Sequence, residues 1–311
     1  MKSVSATIPN PAQATPSASS LPHRQDARLL RLEGRMPHRV EAPPVVRYWH
    51  LLSFDAPTVA VVWSLTFAWA ARVRLPFWLL ALQALVVWAV YVGDRLLDAR
   101  SSLRRDGEGM RERHFFHWRH RTLLTPLAVA ASCVAAWIAL HWMPIAAKER
   151  DSLLGAASLA YFTRVHSGDA RSSILRFASK EFLVGVLFTA GCALPAWTRG
   201  AAWTLLVPAV FFAVLAWLNC RAIEEWEAGQ RRTGILPRAT GIAAVGVLAA
   251  ILMAHLDPRA AALLAAGAVS AALLALLDRS RQRMTAVLLR AAADLVLLTP
   301  IALLAVQAVR R

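Results

Sequence analysis

The stretch of sequence at residues 88–105 reads WAVYVGDRLLDARSSLRR, an apolar run that passes directly into an arginine-rich segment. It contains two aspartates, Asp94 and Asp98, that are four residues apart. In an α-helix this spacing places both carboxylates on one face, one turn from each other. Like charges in that arrangement repel and destabilise an isolated helix, so the pair calls for a functional explanation.

The apolar surroundings of the two aspartates make them candidates for a functional site. A carboxylate at the centre of a bilayer costs roughly 2.5–3.5 kcal/mol on insertion scales, and ionisable residues inside membranes usually serve a function. Two carboxylates on one helix face indicate a shared cation. The alternative is that both lie at the water interface and form ordinary ion pairs with the neighbouring arginines, which are Arg95, Arg100 and Arg104.

The composition of the 311-residue chain is typical of an integral membrane protein. Hydrophobic residues make up 57% of it, charged residues make up 17%, and the mean hydropathy is +0.45. Soluble domains average about 45–50% apolar and 25% charged residues, so both fractions depart in the same direction. The apolar residues come in blocks separated by charged clusters, which predicts an all-α, polytopic transmembrane helix bundle.

The chain also carries a formal net charge of +16, which at first suggests a nucleic-acid partner. The basic residues, however, fall in the segments between the apolar blocks. Orientation of a membrane protein explains that distribution more simply, because Lys and Arg accumulate in cytoplasmic loops. We therefore expect contacts with membrane lipids and no nucleic-acid partner.

Two regions are predicted along the chain. Residues 1–47 are rich in Pro, Ala, Ser and Arg and contain no run able to form a core, so we expect a disordered, basic N-terminal tail. No apolar segment follows the first basic residues, and the tail is therefore not expected to be a secretory signal. Residues 48–311 are expected to form one transmembrane helical domain.

About nine segments of that domain approach the roughly 17–25 residues that a transmembrane helix needs. They lie near residues 51–71, 76–98, 122–145, 151–165, 177–197, 201–223, 237–256, 260–278 and 285–309. Most of the 35 Lys and Arg residues fall on one side of the membrane if the N-terminus is inside. The sequence therefore predicts a multi-pass protein of the cytoplasmic (inner) membrane with its N-terminus inside.

In this topology, unusual polar residues from three helices meet at the cytoplasmic side. Asp94 and Asp98 end the second span, and Lys180 begins the fifth. The end of the sixth span carries a further set, which consists of Asn219, Glu224, Glu225 and Glu227. Carboxylates together with cations suit a diphosphate bound through Mg²⁺, which takes one or two carboxylates plus phosphate oxygens and water. Ordinary charged helix ends are the alternative, above all for the glutamates, because Arg231 and Arg232 follow them.

These residues resemble the UbiA superfamily of intramembrane prenyltransferases. Its members have nine transmembrane helices and two Asp-rich motifs, NDxxDxxxD on the second helix and a DxxxD-type run on the sixth. Asp94 and Asp98 match two acids of the first motif, and Lys180 matches the lysine of the family's YxxxK-type stretch. Asn219 and Glu227 stand at the outer acids of the second motif. The resemblance covers most of residues 50–309 in span order.

The chain departs from the family pattern at several of these positions. In the first motif, the second acid is Arg95 and the last is Ser102. The middle acid of the second motif is Ile223. Arg113 falls where the family has an Arg-Pro pair, and His114 replaces the proline; Arg176 occupies the tyrosine position of the YxxxK-type stretch. The resemblance therefore implies a degenerate or specialised member.

The resemblance implies transfer of an isoprenoid group from its diphosphate to an aromatic or lipid-like acceptor within the membrane. The implied Mg²⁺ ligands are Asp94, Asp98 and Glu227, and the implied catalytic residues are Asp94, Asp98 and Lys180. The implied substrate-binding residues are Tyr91, Arg113, Asn219, Glu224 and Glu227. The alternative is a catalytically inactive protein with the UbiA fold that binds a lipid or a protein partner. A small-solute transporter ranks last, since it predicts midplane charges or broken helices.

The segment after the second span contains a run of histidines, HFFHWRH at residues 114–120. Histidines three residues apart can share a helix face and a metal ion. The surrounding arginines, which are Arg111, Arg113, Arg119 and Arg121, oppose a cation there. The sequence therefore favours an amphipathic interfacial helix, with its aromatic residues in lipid and its basic residues on headgroups.

Overall fold

The computed structural model describes residues 39–103, 111–166, 180–200, 203–230 and 232–309, and within these ranges the regular structure is helical. The α-helices, numbered in chain order, are α1 Pro44–Leu51, α2 Asp55–Ala70, α3 Phe77–Leu103, α4 Glu112–Arg119, α5 Arg121–Trp142, α6 Ile145–His166, α7 Lys180–Gly200, α8 Leu206–Glu227, α9 Ile235–Met253, α10 Pro258–Ser280, α11 Ala286–Leu295 and α12 Ile301–Val309. Short 3₁₀ turns at Trp203–Leu205, Arg281–Arg283 and Val296–Leu298 extend α8, α10 and α11. The expectation of an all-helical bundle is confirmed.

Within the described residues, six helices are long and apolar enough to cross a membrane, or up to eight if each of two bent helix pairs forms one span. The pairs are α1 with α2, bent by 89°, and Ala286–Leu298 with α12, bent by 44°. The fourth predicted segment does form a helix, α6, but α6 is not among these spans, since it carries the charged run of residues 148–151. Nine spans therefore stay a prediction, whereas a multi-pass helical bundle is what the structure supports.

The helical domain begins earlier than the sequence indicated. Helix α1 starts at Pro44, inside the segment of residues 1–47 that was predicted as a disordered tail. A proline suits the first position of a helix, because its fixed φ is helical and its missing N–H has no partner there anyway. Residues 1–38 lie outside the described part of the chain, so the prediction for most of the tail stays a prediction.

A sharp bend between α1 and α2 shapes one end of the bundle. Ser53, in the bend, is buried and has a φ of 63°. This value lies in the left-handed region, which residues other than glycine rarely adopt. The indole N–H of Trp88 on α3 donates to the carbonyl of Leu52 at 2.9 Å. This contact fixes the bend against α3, so that side chains on either side of Ser53 face that helix.

The centre of the bundle is built from a few aromatic rings among many alanines. The ring of Trp63 on α2 stacks on that of Phe212 on α8, with centroids 3.7 Å apart, and its indole N–H donates to the carbonyl of Leu297 at 2.9 Å. Small residues elsewhere let helices approach closely, as is common between membrane helices. At Gly185 on α7, a Cβ atom would lie 2.8 Å from the carbonyl oxygen of Ala213 on α8.

The close contact at Gly185 leads to a prediction with a control on the same helix. Gly185→Ala forces α7 away from the backbone of α8, and we expect a destabilisation of about 1–3 kcal/mol, the usual cost of overpacking. Gly191→Ala meets nothing within 4 Å and should be neutral or slightly stabilising, because alanine favours a helix over glycine. Thermal unfolding in detergent measures both; equal unfolding temperatures would contradict the predicted packing of α7 on α8.

Candidate functional site

Polar side chains from six helices and from the α1–α2 bend meet at one end of the bundle. We call this set the polar cluster. Its members are His50, Ser53, Asp55, Arg95, Arg111, Arg113, His114, His117, Asn219, Glu227, Arg290 and Asp294. Helices α3 and α8 contribute from their C-terminal parts, and α4 lies beside them. The second and sixth predicted spans thus both contribute to the cluster, through Arg95 on α3 and through Asn219 and Glu227 on α8. The expected meeting of these groups with Lys180 of the fifth span stays a prediction.

A buried ion pair joins α2 to α3 within this cluster. Asp55, 1% exposed, accepts a hydrogen bond from the guanidinium of Arg95, 3% exposed, at 2.9 Å. The same carboxylate oxygen accepts from Nδ1 of His50 at 2.7 Å, which places the proton of that imidazole on Nδ1. Arg95 also donates to the backbone carbonyl of His50 at 2.6 Å, so the bend and α3 are held together by charge-assisted hydrogen bonds.

A third helix adds a second carboxylate next to this pair. Ligand atoms of His50, Asp55 and Asp294 all lie within 4.8 Å of one another, a grouping that could in principle hold a metal ion. Two of these ligands already bond to each other, and Arg95 supplies a positive charge in the same place. Asp294 in turn accepts from the amide of Asn219 at 3.0 Å. The arrangement is thus a hydrogen-bonded network in which Arg95 offsets the charge of Asp55, while Asp294 accepts from the neutral amide of Asn219.

Glu227, at the end of α8, is surrounded by three arginines. Its Oε1 accepts from Arg113 at 2.5 Å and from Arg290 at 2.7 Å, and its Oε2 pairs with Arg111. One carboxylate therefore faces three guanidinium groups, which leaves an excess of positive charge. This corrects the expectation that Glu227 binds Mg²⁺, because both of its oxygens are occupied by arginine donors that a cation would have to displace.

Helix α4 supplies three buried side chains to the cluster. Burial, together with the positive charge of Arg290, lowers the pKa of Arg113 to about 10. His117 donates from Nδ1 to the carbonyl of Arg113 at 2.8 Å, so its Nε2 accepts from the hydroxyl of Ser53 at 3.1 Å. Burial lowers the pKa of His117 to about 4, and burial together with Arg113 and Arg111 lowers the pKa of His114 to about 3. Both imidazoles are therefore neutral at pH 7.

The two aspartates that the sequence singled out lie beside the cluster. Asp94 and Asp98 are partly buried on α3, while Arg95 between them points into the interior. The carboxylate of Asp98 comes within 3.7 Å of Nε2 of His114. Tyr91 lies on α3 one turn before Arg95 and is partly buried.

Of the remaining predicted site residues, some lie in the polar cluster and others do not. Asn219 and Arg113 lie in the polar cluster. Glu224 does not, because its carboxylate is 51% exposed and pairs with Arg221 on the surface of α8. Lys180 begins α7, but its side chain lies outside the described residues, as does Arg176.

Sequence reasoning missed the residues that complete the cluster. His50 and Asp55 flank the bend, and Arg290 and Asp294 lie on α11. The available signal was the presence of charged residues inside apolar segments, which marks functional candidates in membrane proteins. That signal identifies Asp55 and Asp294 individually, but the partner of each depends on which helices pack together.

Comparison of the chain with protein-family models, with curated proteins and with solved structures finds no match. The resemblance to the UbiA superfamily therefore stays a prediction that depends on the residues described above.

The ion pair of Asp55 with Arg95 gives a prediction about stability. Asp55→Asn leaves the guanidinium of Arg95 buried without a compensating charge, and we expect a loss of about 3–5 kcal/mol in the free energy of unfolding. Adding Arg95→Met should recover a large part of that loss, because the unpaired charge is gone. Denaturant titration of both single variants and the double variant measures the coupling.

Glu224→Gln is the control for this experiment, since it breaks an exposed pair on α8 that is worth about 0.2–1 kcal/mol. Additive effects of Asp55→Asn and Arg95→Met would contradict a direct interaction between the two side chains.

The lowered pKa values of His114 and His117 predict that acid destabilises the protein. In the unfolded chain both imidazoles take up a proton near pH 6.5, whereas in the folded protein they do so only near pH 3 to 4. Stability is therefore complete above about pH 6.5 and decreases as the pH falls towards 4. His117→Asn should weaken the decrease in unfolding temperature between pH 7 and pH 5, whereas His141→Gln, an exposed site on α5, should leave it unchanged.

Proposed function

We propose that the protein is a UbiA-like prenyltransferase, which transfers an isoprenoid group from its diphosphate to an aromatic or lipid-like acceptor in the membrane. The observation that carries the proposal is the trio Arg111, Arg113 and Arg290 around the single carboxylate of Glu227. This excess of positive charge lies at one end of a bundle of apolar helices, next to Asp94 and Asp98. A lipid with a charged head and a long apolar tail matches both properties.

Arginine is well suited to hold a diphosphate, because its planar guanidinium offers several donors in a geometry that matches phosphate oxygens. Two of the three arginines are shielded from solvent: Arg113 is buried, and the side chain of Arg290 is 19% exposed. Nε of Arg290 is buried and makes no hydrogen bond within the described residues. In the proposed complex, diphosphate oxygens take up these donors in place of, or beside, the carboxylate of Glu227.

Asp94 and Asp98 would hold Mg²⁺ in this proposal. The fit is supported by their spacing of one helical turn on α3, and Mg²⁺ commonly binds through one or two carboxylates plus phosphate oxygens. Glu227 does not belong to the ligand set, for the reason given above. When bound, the ion neutralises charge on the departing diphosphate.

In the reaction, the bond between the allylic carbon and the diphosphate oxygen breaks, and the electron pair leaves with the oxygen. The acceptor atom forms a bond to the allylic carbon and loses a proton, which passes to the released diphosphate. The arginines stabilise the negative charge that develops on the leaving group. Tyr91 lies near this end of α3, where its ring can shield the positive charge on the allylic carbon.

An apolar groove of about 640 Å³ lies between α8 and α9 and could accommodate a hydrocarbon chain. Its walls include Val210, Phe211 and Trp217 from α8 and Ile242 from α9. Helix α8 also carries Asn219 and Glu227, so one helix serves both the apolar groove and the polar cluster. This arrangement supports a substrate that has both a charged head and an apolar tail.

A second candidate function is binding of a phosphorylated lipid or of a protein partner without transfer. The occupation of Glu227 by arginines favours it, as does the replacement of family acids by Arg95 and Ser102. Both reduce the number of carboxylates available for a metal-dependent reaction.

The test is prenyl transfer in membranes that contain the protein, with a labelled allylic diphosphate. We expect Asp94→Ala and Asp98→Ala to reduce transfer by at least about 100-fold, because the leaving group then lacks its metal. Glu224→Gln, on the exposed face of α8, should leave transfer unchanged.

Binding and transfer separate the two candidates. The binding function would be favoured if the protein binds diphosphate, loses that binding in Arg113→Gln, and shows no transfer from C10 to C40 donors. If the two aspartate variants keep both diphosphate binding and transfer, the proposed enzyme is contradicted.

A further inference from the structure

Helix α4 has two faces of different character. Its buried face is polar and consists of Arg113, His114 and His117, which belong to the polar cluster. The opposite face carries Phe115, 56% exposed, and Arg119, which is also exposed and lies one helical turn further along. A helix that packs its polar residues inward and leaves a large aromatic side chain outside reverses the pattern expected of a helix surrounded by water.

The exposed face of α4 continues onto α5, a helix long and apolar enough to cross a membrane. Leu123 and Leu127, one turn apart on α5, are 59% and 46% exposed, and in a membrane such side chains contact hydrocarbon. Helix α5 begins at Arg121, only two residues before Leu123. The junction of α4 and α5 therefore lies at the level where the hydrocarbon region gives way to lipid headgroups.

The two arginines at this junction carry positive charge that no carboxylate balances within the described residues. Arg119 forms no ion pair there, and Arg121 donates to the backbone carbonyl of Trp118 at 2.9 Å. The guanidinium of Arg121 also lies over the ring of Trp118, 4.5 Å from its centroid. The acidic residue of α4, Glu112, is already paired with Arg47. The junction thus combines a net positive charge with aromatic rings.

We propose that Phe115, Trp118, Arg119 and Arg121 form a binding surface for anionic phospholipids, which we call the lipid surface. The two arginines bind the phosphates of the headgroups, and the two aromatic rings lie among the upper parts of the acyl chains. Tryptophan is enriched at this level of membrane proteins, and arginines there are attracted to anionic lipids. The proposal goes beyond the proposed function and does not depend on it.

Location and charge together favour this occupant. A soluble acidic protein would match the charge of the arginines, but it would have to reach the start of the hydrocarbon region to contact Arg121. A zwitterionic phospholipid is present at that level and would cover Phe115, but it brings no net negative charge to the arginines. An anionic phospholipid meets both conditions.

A lipid bound to the outer side of α4 also affects how firmly the helix stays in place. With 8 residues, α4 is too short to be stable by itself and depends on its contacts. On the inner side these are the pair of Arg113 with Glu227 and the hydrogen bond between Ser53 and His117. Lipids on the lipid surface add contacts from outside, so anionic lipid should make local opening of α4 rarer.

The experiment uses the full-length protein in nanodiscs of phosphatidylcholine, with and without phosphatidylglycerol, and follows hydrogen exchange of the backbone amides of α4. We expect phosphatidylglycerol to slow this exchange, and high salt to weaken the effect, since salt screens exposed charges. Arg119→Gln combined with Arg121→Gln should remove the effect.

Native mass spectrometry of the protein in detergent, titrated with phosphatidylglycerol, gives the affinity. Each of the two substitutions should weaken binding about fivefold, the equivalent of about 1 kcal/mol for an arginine at an anionic surface. Arg199→Gln is the matched control for Arg121→Gln. Arg199 is exposed at the far end of α7 and donates to the carbonyl of Pro195 in its own helix at 3.0 Å, so its loss removes the same charge away from α4.

Four results would overturn the proposal. The first is equal exchange of α4 in both kinds of nanodisc, and the second is an effect of phosphatidylglycerol that persists in the double variant. The third is an equal loss of affinity in Arg121→Gln and Arg199→Gln, which would show that only the net charge of the protein attracts the lipid. The fourth is exchange that soluble polyglutamate slows and phosphatidylglycerol does not, which would assign this face to an acidic protein partner.

None of these measurements involves prenyl transfer. Lipid binding that depends on Arg119 and Arg121 without transfer would retain the lipid surface and reject the enzyme. Transfer in a protein whose α4 is insensitive to phosphatidylglycerol would retain the enzyme and reject the lipid surface.

Discussion

The ion pair between Asp55 and Arg95 is buried where the α1–α2 bend meets α3, and the geometry of the polar end depends on it. Two opposite charges in a low-dielectric environment are tolerated only when they are close together and well hydrogen-bonded. Here the carboxylate also accepts from His50 and from the backbone N–H of Ala56, and the guanidinium donates to a backbone carbonyl. Because these bonds satisfy both partners, α2 and α3 can present further polar groups without an unpaired charge at their contact.

Three of the four arginines of the polar cluster are concentrated around Glu227. Asp55 balances Arg95, and Asn219 donates to Asp294, whereas Glu227 alone faces Arg111, Arg113 and Arg290. An arginine cluster that exceeds its carboxylates attracts an anion, and it does so more strongly where burial reduces screening. The carboxylate of Glu227 also has a structural role, because it accepts from all three guanidinium groups and so holds them around a common point.

Much of the helical layout could be predicted from hydropathy, whereas the side-chain pairs within the polar cluster could not. The aspartates on α3 and the glutamate on α8 were visible as acids at the ends of apolar runs, and helix spacing placed Asp94 and Asp98 on one face. The contacts of Asp55 depend on the 89° bend at Ser53, a buried residue with a left-handed backbone conformation. No sequence pattern predicts that bend. Glu227 was assigned to a metal because the sequence offers no way to see Arg290 approach it from the far end of the chain. Glu224 and Glu227 differ in the same way: three residues apart on one helix end, one is exposed and the other is enclosed.

Helix α4 connects the two halves of the polar end. Arg113 and His114 are adjacent in sequence, so their side chains leave the helix about 100° apart. Arg113 pairs with Glu227 at the end of α8, whereas Nε2 of His114 lies 3.7 Å from the carboxylate of Asp98 on α3. His117, on the next turn, holds α4 to the bend, because its Nε2 accepts a hydrogen bond from the hydroxyl of Ser53. The short helix is therefore the element that joins the arginines around Glu227 to both α3 and the α1–α2 bend.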